Sequence, residues 1–115
     1  MGIASVEHFE VAICLGIDRA RLELRGELDA ASAPVLVQRF EDTCGNSGSC
    51  RSLILVDATA LTYCDSSGIH ALLQLAANCD KNGTRFRLLG AQGPVRRVLE
   101  MTNTVAALNA DAVEG

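Results

Sequence analysis

Hydrophobic and polar positions alternate twice near the start of the chain. His8 to Cys14 reads HFEVAIC, with Phe9, Val11 and Ile13 at every second place. A period of two predicts a strand with one buried face. Arg21 to Leu28 alternates strictly, with Leu22, Leu24, Gly26 and Leu28 set against Arg21, Glu23, Arg25 and Glu27. The turn from Leu15 to Arg19 joins the two strands as a hairpin. After Asp29 the period lengthens. Ala33, Leu36, Val37 and Phe40 share one helical face, with Ser32 as the expected cap and Pro34 in the first turn.

Thr43 to Ser49 is too rich in Gly, Ser and Asn to continue that helix and reads as a loop. Ser52 to Val56 is apolar without alternation, as in a central parallel strand covered on both faces. Ile69, Leu72, Leu73 and Ala76 return to helical spacing, and Gly83 stands where a C-terminal cap glycine belongs. Arg85 to Leu89 predicts a short strand. Pro94 starts a third helix with Val95, Val98, Leu99 and Met101 on it. The predicted order is β-β-α-β-α-β-α. That order implies an α/β fold: one domain over residues 1–115, a small mixed sheet with helices packed against it. The periodic core runs from about 9 to 101, and the Ala-rich tail 102–115 carries no pattern.

With 115 residues, the chain has room for one core and not for a two-domain enzyme. Its formal charge is −4, its Lys and Arg residues are scattered, and aromatics make up 3%, so a nucleic-acid surface is not expected. The longest apolar run, Leu53 to Val56, is far short of the roughly 20 residues of a membrane span. The start, MGIASVEHFE, lacks the basic and apolar regions of a signal peptide, which makes the expected location cytoplasmic. Five cysteines without CxxC spacing suggest reduced thiols and no metal site. Cys14 and Cys79 fall on a strand and a helix as small packing residues. Cys44 and Cys50 bracket the Gly/Ser loop and form a candidate redox pair, set against two exposed thiols without function.

The most unusual stretch is Tyr63-Cys64-Asp65-Ser66-Ser67-Gly68-Ile69. Three small polar residues and a glycine stand directly before an amphipathic helix. In one reading Asp65 caps the helix and the serines are its first turn. In another, a hydroxyl at a helix N-terminus is a phosphorylation or anion site, because free N–H groups and the positive dipole end favour a dianion. A nucleophilic serine fails on inventory: the residue two places before Ser67 is Asp65, and before Ser66 it is Cys64, where an elbow needs glycine. No phosphate-cradling glycine loop exists, so neither a catalytic residue nor a cofactor is expected.

Leu53-Ile54-Leu55-Val56-Asp57, then Leu61 and Asp65-Ser66-Ser67-Gly68-Ile69, resemble the core of the STAS domain. Gly26-Glu27-Leu28-Asp29 followed by Ala33-Pro34 resembles its earlier strand and first helix. A free-standing STAS domain without transmembrane helices is similar to the bacterial anti-sigma factor antagonists. The resemblance implies a partner switch and no enzyme. The unmodified protein binds an anti-sigma factor, commonly a GHKL-type serine kinase, and so releases a sigma factor. Phosphorylation of the second serine of the motif, here Ser67, ends binding, and a serine phosphatase resets it. Asp65, Ser66, Ser67, Gly68 and Ile69 are then expected in the partner surface, with Asp29 near the same edge. The alternative keeps the fold and changes the task to a regulatory subunit of a transporter or stress-signalling complex.

Overall fold

The computed structural model describes residues 2–44 and 52–110. Its strands are β1 (Gly2–Val6), β2 (Phe9–Leu15), β3 (Arg19–Leu28), β4 (Leu53–Cys64) and β5 (Arg85–Leu89). Its helices are α1 (Ala33–Thr43), α2 (Ser66–Lys81) and α3 (Gly93–Met101). The strands lie in the order β1-β2-β3-β4-β5. β2 is antiparallel to both of its neighbours, β1 and β3, and β3, β4 and β5 run parallel. Every predicted element is present in the predicted order, and one further strand, β1, precedes them.

The alternation in β2 and β3 does what it predicts. Phe9, Val11, Ile13, Ala20, Leu22, Leu24 and Leu28 are buried against the helices. The opposite face carries Glu10, Arg21, Glu23 and Arg25. There the Arg21 guanidinium donates to Asp57 Oδ2 at 2.6 Å and to Glu23 Oε2 at 3.2 Å. Where Gly26 passes the β1–β2 turn, its φ is 95° and a Cβ would strike the His8 carbonyl. That carbonyl instead accepts from Glu27 N–H at 2.7 Å.

The parallel ladder is not uniform. β3 advances from Arg19 to Leu28 while β4 advances from Leu53 to Cys64, so β4 holds two extra residues, one at each register shift. Burial in β4 follows this: Ile54, Val56 and Ala58 point inward, and then Leu61 and Cys64. Two bulges shift the phase of alternation, which is what bulges do to a strand.

The helices α1 and α2 pack on each other, α2 packs on β4 and β5, and α3 packs on β4. Leu36 and Phe40, Leu72 and Leu75, and Val95 and Leu99 carry these contacts in one continuous core. Gly83 follows α2 with φ 72°, as its C-terminal position predicts. The tail forms no strand or helix through residue 110 but is anchored. Thr104 and Leu108 are buried, Leu88 N–H donates to Leu108 O at 3.2 Å, and Asn109 Nδ2 donates to Phe86 O at 2.8 Å. It thereby covers the outer edge of β5.

Candidate functional site

The last pair of the parallel ladder is Leu28 opposite Cys64. The next residues, Asp29 and Asp65, therefore leave the sheet side by side at its C-terminal edge. Asp65 N–H donates to Leu28 O at 3.3 Å, tying the two exits together. The sequence expectation that Asp29 lies near the DSSG motif follows from this register.

Asp29 closes the turn into α1. Its Oδ1 accepts from the N–H groups of Ala31 and Ser32, each at 3.1 Å. The Ser32 N–H and hydroxyl, then the Ala31 N–H, hold this carboxyl below its ordinary value. Ser32 was expected to cap α1 with its side chain, and it does not. Its hydroxyl points back, donating to Glu27 O at 2.8 Å and accepting from Asp29 N–H at 2.8 Å. The carboxylate of Asp29 takes the turn's free N–H groups instead, which leaves Ser32 buried as a brace between strand and helix.

Asp65 caps α2 as predicted. Its backbone is extended, with φ −111° and ψ −169°, and its Oδ1 accepts from Gly68 N–H at 3.1 Å. Its carbonyl accepts from Ile69 N–H at 2.9 Å. The N–H groups of Ser66 and Ser67 belong to the first turn, where a helix has no internal acceptors. Ser66 is exposed and Ser67 half-buried.

Gly68 and Ile69 lie elsewhere than the expected partner surface: both are buried. A Cβ on Gly68 would stand 2.7 Å from Cys64 Sγ and 2.7 Å from Leu28 O. The glycine lets the start of α2 sit directly on the ends of β3 and β4. Ile69 is 4% exposed and belongs to the core. The accessible part of the motif is therefore Asp29, Asp65, Ser66 and Ser67. Tyr63 and His70, which flank the motif in sequence, are also exposed. A large ring in a chain with so few aromatics was the available signal for Tyr63.

The cysteines offer no nucleophile at this edge. Burial, reinforced by the charge of Asp65, pushes the Cys64 thiol up to about 12. Cys44, expected to be exposed at the loop, is buried in the core. Its expected redox partner, Cys50, falls outside the described residues. Among the described residues no cluster of His, Cys, Asp and Glu could hold a metal ion, and no helix is long and apolar enough to cross a membrane.

The fold recurs in known proteins. An anti-sigma factor antagonist from Mycobacterium paratuberculosis superposes with a TM-score of 0.76 at 18% identity, covering 93% of this chain and 88% of that one. The anti-sigma factor antagonist SpoIIAA in its unphosphorylated form gives 0.70 at 21% identity, covering 81% and 80%. SpoIIAA, a cell fate determinant of Bacillus, is also known in a phosphorylated form. A sulfate transporter family protein from Wolinella succinogenes gives 0.66 at 22% identity, covering 84% and 75%. At these identities the likeness is one of fold. The family model of the STAS domain matches residues 15–110, which span β3 to the end of the anchored tail. The chain belongs to the STAS domain family.

Proposed function

We propose that this chain is an anti-sigma factor antagonist, acting in the cytoplasm, whose binding surface is the edge formed by Asp29, Asp65, Ser66 and Ser67. Phosphorylation of Ser67 switches it off. The observation that carries the reading is the position of Ser67. It stands in the first turn of α2, directly after Asp65, which leaves the sheet next to Asp29 from a shared strand pair. The SpoIIAA structures, one unphosphorylated and one phosphorylated, support it by fold.

The unmodified edge presents small, neutral hydroxyls that a partner can cover closely. The partner is an anti-sigma factor of the GHKL kinase class. It would hold ATP so that Ser67 Oγ attacks the γ-phosphorus: the Oγ–P bond forms, the bond to the β-phosphate oxygen breaks, and ADP leaves. The serine proton goes to a base of the kinase. The product carries about −1.5 to −2 charge next to Asp65 and Asp29. Free backbone N–H groups at the helix start can receive its oxygens in water. Within the complex the same dianion would be desolvated beside two carboxylates, a cost of several kcal/mol that reverses a moderate complex. A serine phosphatase would restore the hydroxyl.

The transporter-subunit reading draws on the Wolinella neighbour, whose fold is shared. Capture of partners on the unmodified protein separates the two, since a GHKL kinase supports the first and a permease the second. Incubating the captured kinase with labelled ATP then tests the residue. Label on wild type and on Ser66→Ala but not on Ser67→Ala is the expected result. Label on Ser67→Ala at the wild-type rate would overturn the assignment.

A further inference from the structure

The core holds two thiols at matching ends of its two packed helices. Both α1 and α2 connect parallel neighbours, β3 to β4 and β4 to β5, so each runs back along the sheet in the same direction. The two pack on each other and finish at the sheet end opposite Ser67. Cys44 is the residue that ends α1, its N–H bonded to Phe40 O at 2.7 Å. Cys79 lies in the last turn of α2. Cys44 is 9% exposed and Cys79 2%, and both belong to the same core cluster.

Helices in contact lie about 8–10 Å apart axis to axis, with Cα atoms about 2.3 Å from each axis. Facing Cα atoms therefore approach to roughly 3.5–5.5 Å, which overlaps the 4.4–6.8 Å window of a disulfide. Burial, and then the neighbouring Cys44 sulfur, push the Cys79 thiol up to about 11. Cys64 is at the other end of the layer, against Gly68. Cys14 is exposed on β2, at its pairing with Arg21.

We propose that Cys44 and Cys79 are a disulfide-forming pair, a covalent clamp between the C-terminal ends of α1 and α2. The oxidant is a peroxide. The Cys44 thiolate, the more exposed of the two, attacks one peroxide oxygen: an S–O bond forms, the O–O bond breaks, and hydroxide leaves. The Cys79 sulfur then displaces the hydroxyl of that sulfenic acid: the S–S bond forms and the S–O bond breaks. Two thiols and one hydrogen peroxide give one disulfide and two waters. Formation is slow, because both thiols sit at helix C-termini, where the dipole opposes thiolate. The clamp lies at the far end of α2 from Ser67, so it does not depend on the phosphorylation reading.

The test is peptide mapping of the folded protein after prolonged hydrogen peroxide treatment, beside the Cys50→Ser, Cys44→Ser and Cys79→Ser variants. The expected product has lost two hydrogens and contains a Cys44–Cys79 cross-link. It forms equally in Cys50→Ser and not in the other two. Closing a loop of this length raises the melting temperature by about 10 °C, and reductant reverses the rise. A Cys44–Cys50 cross-link overturns the proposal. So do thiols at 44 and 79 that both remain alkylatable after oxidation.

Discussion

Substituting Gly68 by alanine measures how tightly α2 is seated on the strand ends. Gly68 is the third residue of α2, so helix propensity alone predicts a gain of up to about 1 kcal/mol for Gly68→Ala. The packing predicts the reverse. The new methyl would stand 2.7 Å from Cys64 Sγ, 2.7 Å from Leu28 O and 2.9 Å from Leu28 Cγ. Leu28 O is backbone and already holds Asp65 N–H, so it cannot yield without loosening the joint between β3 and α2. Overpacking of this kind costs about 1–3 kcal/mol, and a backbone obstacle puts it at the upper end. The net expectation is a loss of about 2 kcal/mol, read as a lower urea midpoint at unchanged slope. Adding Cys64→Ala removes one of the three obstacles, so the double variant should lose less than the sum of the singles. A Gly68→Ala protein as stable as wild type, or more so, would refute the close seating. Gly68 would then be an ordinary first-turn residue.

Three further outcomes follow from the geometry. Asp65→Ala should cost about 1 kcal/mol in urea unfolding, because Gly68 N–H loses its acceptor, while Asp65→Asn should cost less. Gly26→Ala should lose at least about 2 kcal/mol by the same assay, since φ is 95° and the His8 carbonyl fills the Cβ position. Burial alone would raise the Asp57 carboxyl, but the Thr59 and Arg21 hydrogen bonds outweigh it and hold it below its ordinary 3.8. Its stabilisation is therefore complete above that value and disappears as pH falls through the lower folded value. Asp57→Asn should cost up to about 1 kcal/mol at pH 7 and flatten the acid loss of stability, followed by urea midpoints from pH 6 to pH 3.

The parts of the fold that rest on period were legible. β3 alternates over eight residues, and the α2 stripe from Ile69 to Cys79 is helical throughout, so both elements stand where the pattern puts them. β1 escaped because GIASV is a short run without charge or clear alternation. The second half of β4 escaped because its two bulges break the period: Thr59, Thr62 and Tyr63 look like loop although the strand continues to Cys64. The role of Ser32 was misplaced because Ser and Asp are interchangeable as caps by sequence. Only the turn geometry gives the free N–H groups to Asp29. At the site, cap and serines were readable from the motif. The burial of Gly68 and Ile69 was not, since it depends on two strand ends distant in sequence. Cys44 looked like a loop residue because the Gly/Ser run begins beside it, yet it ends α1 buried in the core.

The central claim, a charge switch at Ser67 that leaves the fold intact, is tested most directly by one paired titration. Unmodified and Ser67-phosphorylated protein are each titrated with the captured GHKL kinase, and each is unfolded in urea. Phosphate gains about 0.3–1 kcal/mol from the α2 dipole and loses a similar amount to Asp65, so the two forms should differ in stability by less than about 1 kcal/mol. Affinity should fall well over tenfold, because only the complex must desolvate the dianion. Equal affinities would contradict the switch. A large loss of stability on phosphorylation would mean that α2 unfolds, and that surface electrostatics is not what releases the partner.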